Sequence, residues 1–359
     1  MMEKISAFFK HPFVRKYANY LIIGGATVLF AILSIAGVMK MSNQLLLEQI
    51  AIAILLAVSL SMVVGFLGEL SLGHAGFMCA GAYIGGKLAA ILVPAMGGSE
   101  SNLLVLLIAM LVGGAVSALL GFVIGLPALR LRGDYLAIVT LAFGEIVRTV
   151  VMNLPADLFG GALGLTTPRF EYKYLFIIIF VMVLACLAVT QNLMRSKHGR
   201  AIIAIKDNEI AARAMGIDIT KYKLFVFVIS SFFAGIAGVL YSYSQYRLQS
   251  VSFDYNYSIE ILVMVVLGGM GSINGSIVAA ALITFINYKL QNLLSGNLAV
   301  LQNLIYAVIL IAIVIYKNAP GLKGFREKYN FNTLVVERFK KKQTVVENAD
   351  TGEEEANND

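Results

Sequence analysis

The sequence predicts an all-α membrane protein, a polytopic transmembrane helical bundle of about ten spans with broken or half-length helices. Hydrophobic residues make up 59% of the 359 residues, charged residues make up 14%, and the mean hydropathy is +0.81. A soluble domain carries about 25% charged residues and avoids large apolar surfaces. The apolar runs extend almost from end to end, so a lipid bilayer is the solvent that this composition fits.

The predicted spans are runs of about 20 apolar residues, the length that crosses about 30 Å of hydrocarbon at 1.5 Å per residue. The first run follows a basic N-terminus and is too long for a signal-peptide core, which predicts an uncleaved span. The clear runs are 20–39, 45–66, 72–93, 102–126, 134–153, 173–194, 223–243 and 299–316.

The apolar stretch 258–290 is interrupted by a glycine-rich sequence at 268–275. Lys and Arg are enriched in the loop 195–222 and after residue 316, which predicts that both are cytoplasmic. A single crossing would place the chain's end outside. The stretch is therefore predicted to cross twice, as short spans 258–270 and 274–290, and re-entrant geometry stays an open alternative.

The same patterns divide the chain into three parts. Residues 1–19 are a basic cytoplasmic N-terminus, 20–316 are the transmembrane domain, and 317–359 are a charged cytoplasmic tail. The tail ends in acidic and Asn residues without apolar periodicity, which predicts partial disorder. The net charge of +7 does not indicate nucleic-acid binding, because the basic residues lie in short loops and tails.

The chain offers no catalytic, metal or cofactor motif. Its three histidines lie far apart, without Ser/His/Asp or metal-ligand spacing around them. Residues 81–87 match the first seven positions of a phosphate-binding loop, but Leu88 replaces the required Ser or Thr and the match lies inside a span. We expect no cofactor on this chain, so any ATP and Mg²⁺ chemistry must belong to another subunit.

Two glycine-rich interruptions stand out, at residues 65–76 (the first break) and 268–275 (the second break). Irregular backbone at membrane depth requires protein or a wet cavity to satisfy it, and paired breaks often flank a transport pathway. Close helix packing through small residues is the alternative. Both interpretations stay open on composition alone.

Charged residues inside spans need partners or a cavity. Glu145 and Arg148 lie three residues apart on one predicted helix, which favours an internal ion pair, with a pathway role as the alternative. Glu48 lies near the outer end of its span and is predicted to be interfacial.

The cytoplasmic segment 206–216 has the sequence of a short capped helix. Asp207 or Asn208 can cap it, Glu209 suits its first turn and Gly216 can end it. So short a helix is not stable alone in water and must pack against something. Its partner is either the chain's own membrane domain or a cytoplasmic motor protein.

Five segments of the sequence, taken in order, resemble the second permease subunit of bacterial branched-chain amino-acid ABC transporters. The resemblance covers about residues 45–316. The segments are 68–77, 131–141, 208–217, 232–238 and 267–272.

The resemblance implies a permease domain in the bacterial inner membrane that moves Leu, Ile or Val inward by alternating access. It implies a homologous second permease, two cytoplasmic ABC ATPase subunits and an extracytoplasmic solute-binding protein as partners. It assigns the ATPase-coupling role to Asn208, Glu209, Ala211, Ala212 and Gly216. The expected substrate-pathway residues are Gly68, Ser71, Gly73, His74, Glu145, Gly268, Gly269 and Gly271.

Other functions stay open on the sequence. A urea or amide permease of the same architecture would look similar. An ion-coupled carrier or channel would need ionisable residues in mid-span, of which the chain offers mainly Glu145. A structural scaffold would explain neither the breaks nor the capped helix.

Overall fold

In the computed structural model, the described residues are 40–96, 101–131, 133–155, 159–170, 172–245 and 247–293, with scattered positions in 23–34 and 305–315. One compact unit, Met1–Ser295, contains every element named below. The second unit, Gly296–Asp359, has five described positions, all helical. The predicted N-terminal segment and tail, and most of the predicted spans 20–39 and 299–316, lie outside the described residues.

The described part is almost entirely helical. Seven of its helices are long and apolar enough to cross a membrane, which confirms an all-α polytopic membrane protein. The helices are α1 (Met41–Ser61), α2 (His74–Ala95), α3 (Leu103–Ala128), α4 (Asp134–Asn153), α5 (Tyr172–Arg195), α6 (Lys197–Asp207), α7 (Glu209–Ala214), α8 (Ile219–Gln245), α9 (Tyr255–Gly268) and α10 (Ile273–Leu293).

Helices α9 and α10 form the helical hairpin expected from the stretch 258–290. Gly268 ends α9, and the chain reverses over the next four residues before α10 begins. A Cβ on Gly275 would lie 1.8 Å from the carbonyl oxygen of Gly268, so only glycine permits this approach of the two helices. Helix α9 has 14 residues, about 21 Å of helix, and is therefore shorter than the hydrocarbon layer.

The centre of the bundle is built from α8 packed against α2 and α3. The helix backbones meet through small residues, as is usual where lipid removes the hydrophobic drive for association. A Cβ on Gly81 would lie 2.3 Å from the Gly235 oxygen, and one on Gly238 would lie 2.0 Å from the Met78 oxygen. Close backbone contact therefore fixes how these helices cross.

The two long loops at one end of the bundle are held together by a short antiparallel strand pair. Strand β1 (Leu165–Thr166) pairs with β2 (Arg247–Leu248). The Tyr83 hydroxyl of α2 donates a hydrogen bond to the Leu248 oxygen at 3.1 Å. Helix directions place this end opposite to the end that carries α6 and α7, which we call the α7 end.

Candidate functional site

The first break separates α1 from α2 inside the bundle. A π-helical turn, Met62–Leu67, follows α1, and Gly68 at φ +80° ends it. The chain then runs without helix to His74, where the Ala75 amide donates to the Ser258 hydroxyl at 3.1 Å. Ser258 lies ten residues before the end of α9, so α2 begins about 15 Å from that end.

Protein groups cover most of the first break. His74 is 2% exposed, with its Nε2 atom 2.8 Å from the Ser59 hydroxyl. The Leu72 amide donates to the Thr140 hydroxyl at 3.0 Å. Ser71 is 1% exposed, and its hydroxyl has no hydrogen-bond partner within the described part of the chain. The broken backbone is therefore stabilised mainly by neighbouring helices.

The two breaks contact each other at the α7 end. In the second break, Gly269 and Gly271 have φ values of +98° and +86°, which L residues rarely adopt. A Cβ on Gly65 would lie 2.9 Å from the Gly271 nitrogen. The structure therefore brings together two glycine-rich segments that are about 200 residues apart in sequence.

Lys206, in the last turn of α6, lies over both breaks. Its ammonium group donates to the Gly65 carbonyl at 2.7 Å and lies 3.8 Å from where a Cβ of Gly271 would stand. Its methylene chain covers Gly68, whose added Cβ would be 2.9 Å from the Lys206 Cγ atom. We call Lys206, Gly65, Gly68 and Gly271 the junction.

Helix α7 follows directly and is capped at both ends. The Asn208 side chain accepts hydrogen bonds from the amides of Ile210 and Ala211, both at 3.0 Å. Gly216 has φ +81°, and the Ile217 amide donates to the Ala212 oxygen at 3.1 Å, which forms a Schellman C-cap. The predicted capped helix is confirmed, with Asn208 rather than Asp207 as its cap.

The surface of α7 has an inward and an outward side. Ala212 is 4% exposed and packs against the chain's own bundle. Ile210 is 77% exposed and Met215 is 82% exposed, while Ala211 and Gly216 are also exposed. The five residues expected to act in coupling therefore include one packing residue, Ala212, which does not lie on the outward surface.

A buried ammonium group links α7 to the first break. Lys223 of α8 is 3% exposed, and its ammonium group forms an ion pair with the Glu69 carboxylate. It also lies 3.3 Å from a carboxylate oxygen of Glu209, the first residue of α7. Glu209 in turn pairs with the exposed Arg213 at 3.5 Å. Electrostatic contacts therefore run from α7 through Lys223 to residue 69.

The Glu145–Arg148 pair forms as predicted, with an oxygen–nitrogen distance of 2.8 Å on α4. The Glu145 and Arg148 side chains are 27% and 24% exposed, and within the described part of the chain no hydrogen bond or ion pair joins them to the junction. The neighbouring Gly144 packs against Gly76 of the first break. Glu145 therefore lies next to a residue that packs against the first break, but its carboxylate pairs with Arg148 rather than with the polar groups of that break.

Glu48 lies in the first eight residues of α1 and is buried inside the bundle, beside the last residues of α8. This residue is 1% exposed, and the Ser244 hydroxyl of α8 donates to its carboxylate at 2.5 Å. A buried partner on a distant helix therefore stabilises the carboxyl group. Sequence spacing gives no sign of a contact between positions 196 residues apart.

Sequence reasoning also omitted Glu69, Lys206 and Lys223 from the candidate site. The available signal was opposite charge: Lys221 and Lys223 at the start of an apolar run, and a single Glu inside a glycine-rich break. Charges that cannot reach water need partners. The fold determines which of these charged residues form pairs.

Within the described part of the chain, no three His, Cys, Asp or Glu side chains are grouped as metal ligands would be. The polar groups at the α7 end instead contact backbone and one another. Such an arrangement can transmit a change in position between the surface helix and the broken span. These contacts are therefore suited to transmitting movement between the two elements.

The fold and the site define an integral membrane protein with a surface helix tied to a broken span. Residues 42–314 match the family model described as branched-chain amino acid transport system / permease component, and the chain belongs to that family.

Named relatives agree with this assignment. The chain is 38% identical over 264 residues to the high-affinity branched-chain amino acid transport system permease protein LivM of Salmonella typhimurium, which covers 65% of this chain and 60% of that protein. The Escherichia coli LivM protein is 36% identical with the same coverage. The chain thus spans about three-fifths of the length of these relatives.

A ribose import permease protein, RbsC of Escherichia coli, is 29% identical over 301 residues, 76% of this chain and 84% of that protein. No solved structure matches the chain.

Proposed function

We propose that this chain is the membrane-spanning permease subunit of an ATP-binding-cassette importer that moves Leu, Ile or Val into the cytoplasm. Its partners are a homologous second permease, two cytoplasmic ATPase subunits that bind ATP and Mg²⁺, and an extracytoplasmic solute-binding protein. The observation that carries the proposal is the capped helix α7, which presents exposed Ile210 and Met215 and is tied through Lys223 to the broken span.

In this proposal α7 is the docking element for an ATPase subunit. Isolated large apolar residues are common on surfaces, but two exposed ones on a six-residue helix with fixed caps suit a specific contact. Asn208 and Gly216 fix the ends of the helix, and Ala211 leaves space for close approach. Ala212 anchors the helix to the membrane domain.

The mechanism is alternating access. Closure of the ATPase subunits displaces α7; Lys223 transfers the displacement to Glu69, and Lys206 transfers it to the Gly65 carbonyl and the second break. Because Gly68, Gly269 and Gly271 occupy positive-φ conformations, the backbone there can change direction without Cβ clashes. The chain itself breaks no covalent bond, so it is a transporter subunit and not an enzyme.

The substrate pathway is proposed to pass along the breaks. Gly68, Ser71, Gly73 and His74 belong to the first break. Gly268, Gly269 and Gly271 belong to the second, and Glu145 stands beside Gly76 through its neighbour Gly144. The start of α2 within the bundle supports this assignment, because broken helices inside a transporter commonly flank its solute pathway.

The proposed topology has ten spans in the bacterial inner membrane with both termini in the cytoplasm. Domain limits follow the sequence prediction: 1–19, 20–316 with the coupling loop 195–222, and the tail 317–359. The basic loop that carries α6 and α7 supports a cytoplasmic position for the α7 end.

Co-expression with candidate ATPases and uptake of labelled leucine into proteoliposomes test the function. We expect uptake to require ATP, the ATPase subunits and the solute-binding protein. An Ile210→Cys variant in intact cells should react only with a membrane-permeant thiol reagent. Labelling by an impermeant reagent, or uptake by this chain alone under an ion gradient, would contradict the proposal.

A second candidate is import of a sugar, favoured by the broad coverage of the ribose permease match. Urea or short amides form a third. Competition in the same proteoliposomes separates these substrates: excess unlabelled isoleucine should suppress leucine uptake, whereas ribose and urea should leave it unchanged.

A further inference from the structure

A cavity of about 220 Å³ lies between α1, α8, α9 and α10. Its walls include Ile52 of α1, Glu260 of α9 and Asn287 of α10. Ile52 lies 13 residues before Gly65 along the first span, about 20 Å of helix. The cavity is therefore in the half of the bundle opposite to the α7 end, and it is separate from the breaks.

The cavity has a polar side with a single carboxylate. Glu260 accepts a hydrogen bond from the Asn287 amide at 3.2 Å, which fixes the orientation of that carboxylate. Gln49 and Gln291 add amides, and Thr284 adds a buried hydroxyl oxygen that has no hydrogen-bond partner in the described part of the chain. Polar side chains at membrane depth are costly and mark solute pathways.

The other side of the cavity is apolar. Ile52, Ala53 and Met264 line it. Ile52 and Met264 are 1% and 2% exposed, so they are held in place by packing. None of the twelve lining residues is Lys or Arg. The lining thus combines one negative group, several neutral donors and an aliphatic wall.

We propose that this cavity is a binding site for a zwitterionic amino acid with an aliphatic side chain. The Glu260 carboxylate binds the ammonium group, the neutral amides and hydroxyls bind the carboxylate, and Ile52 and Met264 contact the side chain. This inference rests on the proposed importer function and adds a location for the solute.

The size and the charge of the cavity both fit that class. A protein cavity of about 150 Å³ accommodates benzene, so about 220 Å³ accommodates a molecule with five or six carbons. Sugars and urea lack an ammonium group and would bring no positive charge to the Glu260 carboxylate. An acidic amino acid would place a second carboxylate near Glu260 without a cation.

The cavity shares its walls with helices that end at the breaks. Helix α1 continues into the π-helical turn at Gly65, and α9 ends at Gly268. A displacement of the breaks would therefore move two walls of the cavity. This connection explains how an event at the α7 end can open a solute site on the far side of the membrane.

The test uses the complete complex with a cysteine probe. Cys79 and Cys186 are buried and are replaced by Ala to give a background without reactive thiols. In that background Ala53→Cys places a thiol in the cavity. Leucine should slow labelling of this thiol by at least five-fold, while ribose and urea should not. Adding Glu260→Gln should abolish the protection.

Uptake supplies an independent readout. Ala53→Phe fills the cavity and should reduce leucine uptake by about 10-fold while the complex still assembles and hydrolyses ATP. Asn256→Ala, on an exposed residue of α9 that does not line the cavity, is the control and should leave uptake unchanged.

The outcomes separate the two proposals. Uptake of leucine that is insensitive to Glu260→Gln and Ala53→Phe, without protection of the thiol, would overturn the cavity assignment and leave the importer function standing. A complex that transports no branched-chain amino acid would overturn both. Protection by leucine that depends on Glu260 supports both.

Discussion

Lys223 on α8 forms an ion pair with Glu69, a residue of the first break 154 positions earlier in the chain. The Lys223 side chain is 4% exposed, and its ammonium group also contacts Glu209 of α7. Three charged groups from three segments therefore meet where the surface helix joins the membrane domain. If α7 binds a motor subunit, this contact is the shortest polar route from the motor to the broken span.

Replacement of Lys223 by Met should uncouple ATP hydrolysis from uptake. Removal of one partner of a buried ion pair leaves the other charge uncompensated, which costs about 3–5 kcal/mol. We expect a clear decrease in the thermal unfolding temperature of the complex, and a larger loss of leucine uptake than of ATPase activity. Both rates are measured in the same proteoliposomes.

Arg213→Ala is the matched control, since Arg213 also pairs with Glu209 but its side chain is 69% exposed. Exposed ion pairs contribute about 0–1 kcal/mol, so the unfolding temperature should change little. The double variant Lys223→Met with Glu69→Gln should recover part of the stability, because no charge is then left alone. Equal effects of Arg213→Ala and Lys223→Met would argue against the route through Lys223.

Gly216→Val should impair coupling through backbone strain alone. An added Cβ at Gly216 meets no atom within 4 Å, so the change creates no steric clash. The substitution is unfavourable because the backbone has a φ of +81° at this position, and a left-handed conformation costs an L residue about 1–2 kcal/mol. Leucine uptake should fall, with ATP hydrolysis less affected.

Gly216→Asn provides the comparison, because Asn tolerates the left-handed region and serves as a helix C-cap. Its uptake should stay near that of the unmodified protein. Loss of uptake in both variants would show that the side chain itself, and not the φ angle, disturbs the docking surface.

The sequence predicted the helical class, seven membrane-crossing helices within the described part, the hairpin over 258–290 and the capped helix near residue 210. These features depend on local patterns: apolar run length, glycine interruptions and cap residues. Contacts between distant segments were not predictable. The contact of Glu48 with Ser244, for example, joins positions 196 residues apart. Lys223 and Glu69 were missed as a pair for the same reason.

The predicted coupling residues of α7 fall into an exposed group and a buried one. The family resemblance assigned Ala211 and Ala212 the same coupling role. In the fold, Ala212 is buried and Ala211 is exposed, because neighbouring residues on a helix face directions about 100° apart. The predicted coupling set is therefore part docking surface and part anchor.

That division predicts different consequences at two positions of α7. Ile210→Glu places a charge on an outward residue and should weaken co-purification of the ATPase subunits, with the unfolding temperature unchanged. Ala212→Arg forces a long charged side chain into a buried position and should lower the unfolding temperature, since overpacking typically costs about 1–3 kcal/mol. Scanning fluorimetry and pull-down on the same preparations distinguish the two. Normal pull-down with Ile210→Glu would remove α7 as the docking element.

Lys206→Met should weaken the connection between α6 and the two breaks. The change removes the hydrogen bond from the ammonium group to the Gly65 carbonyl at 2.7 Å, yet keeps an apolar chain over Gly68. A hydrogen bond from a charged donor contributes about 1.5–3 kcal/mol, so uptake should fall by about ten-fold. Lys206→Arg retains a donor and should preserve most of the activity. Lys197→Met, at the start of α6, loses a charge of the same sign far from the breaks and should have no effect. If all three variants transport leucine normally, the breaks move without help from α6, and Lys223 alone must connect them to α7.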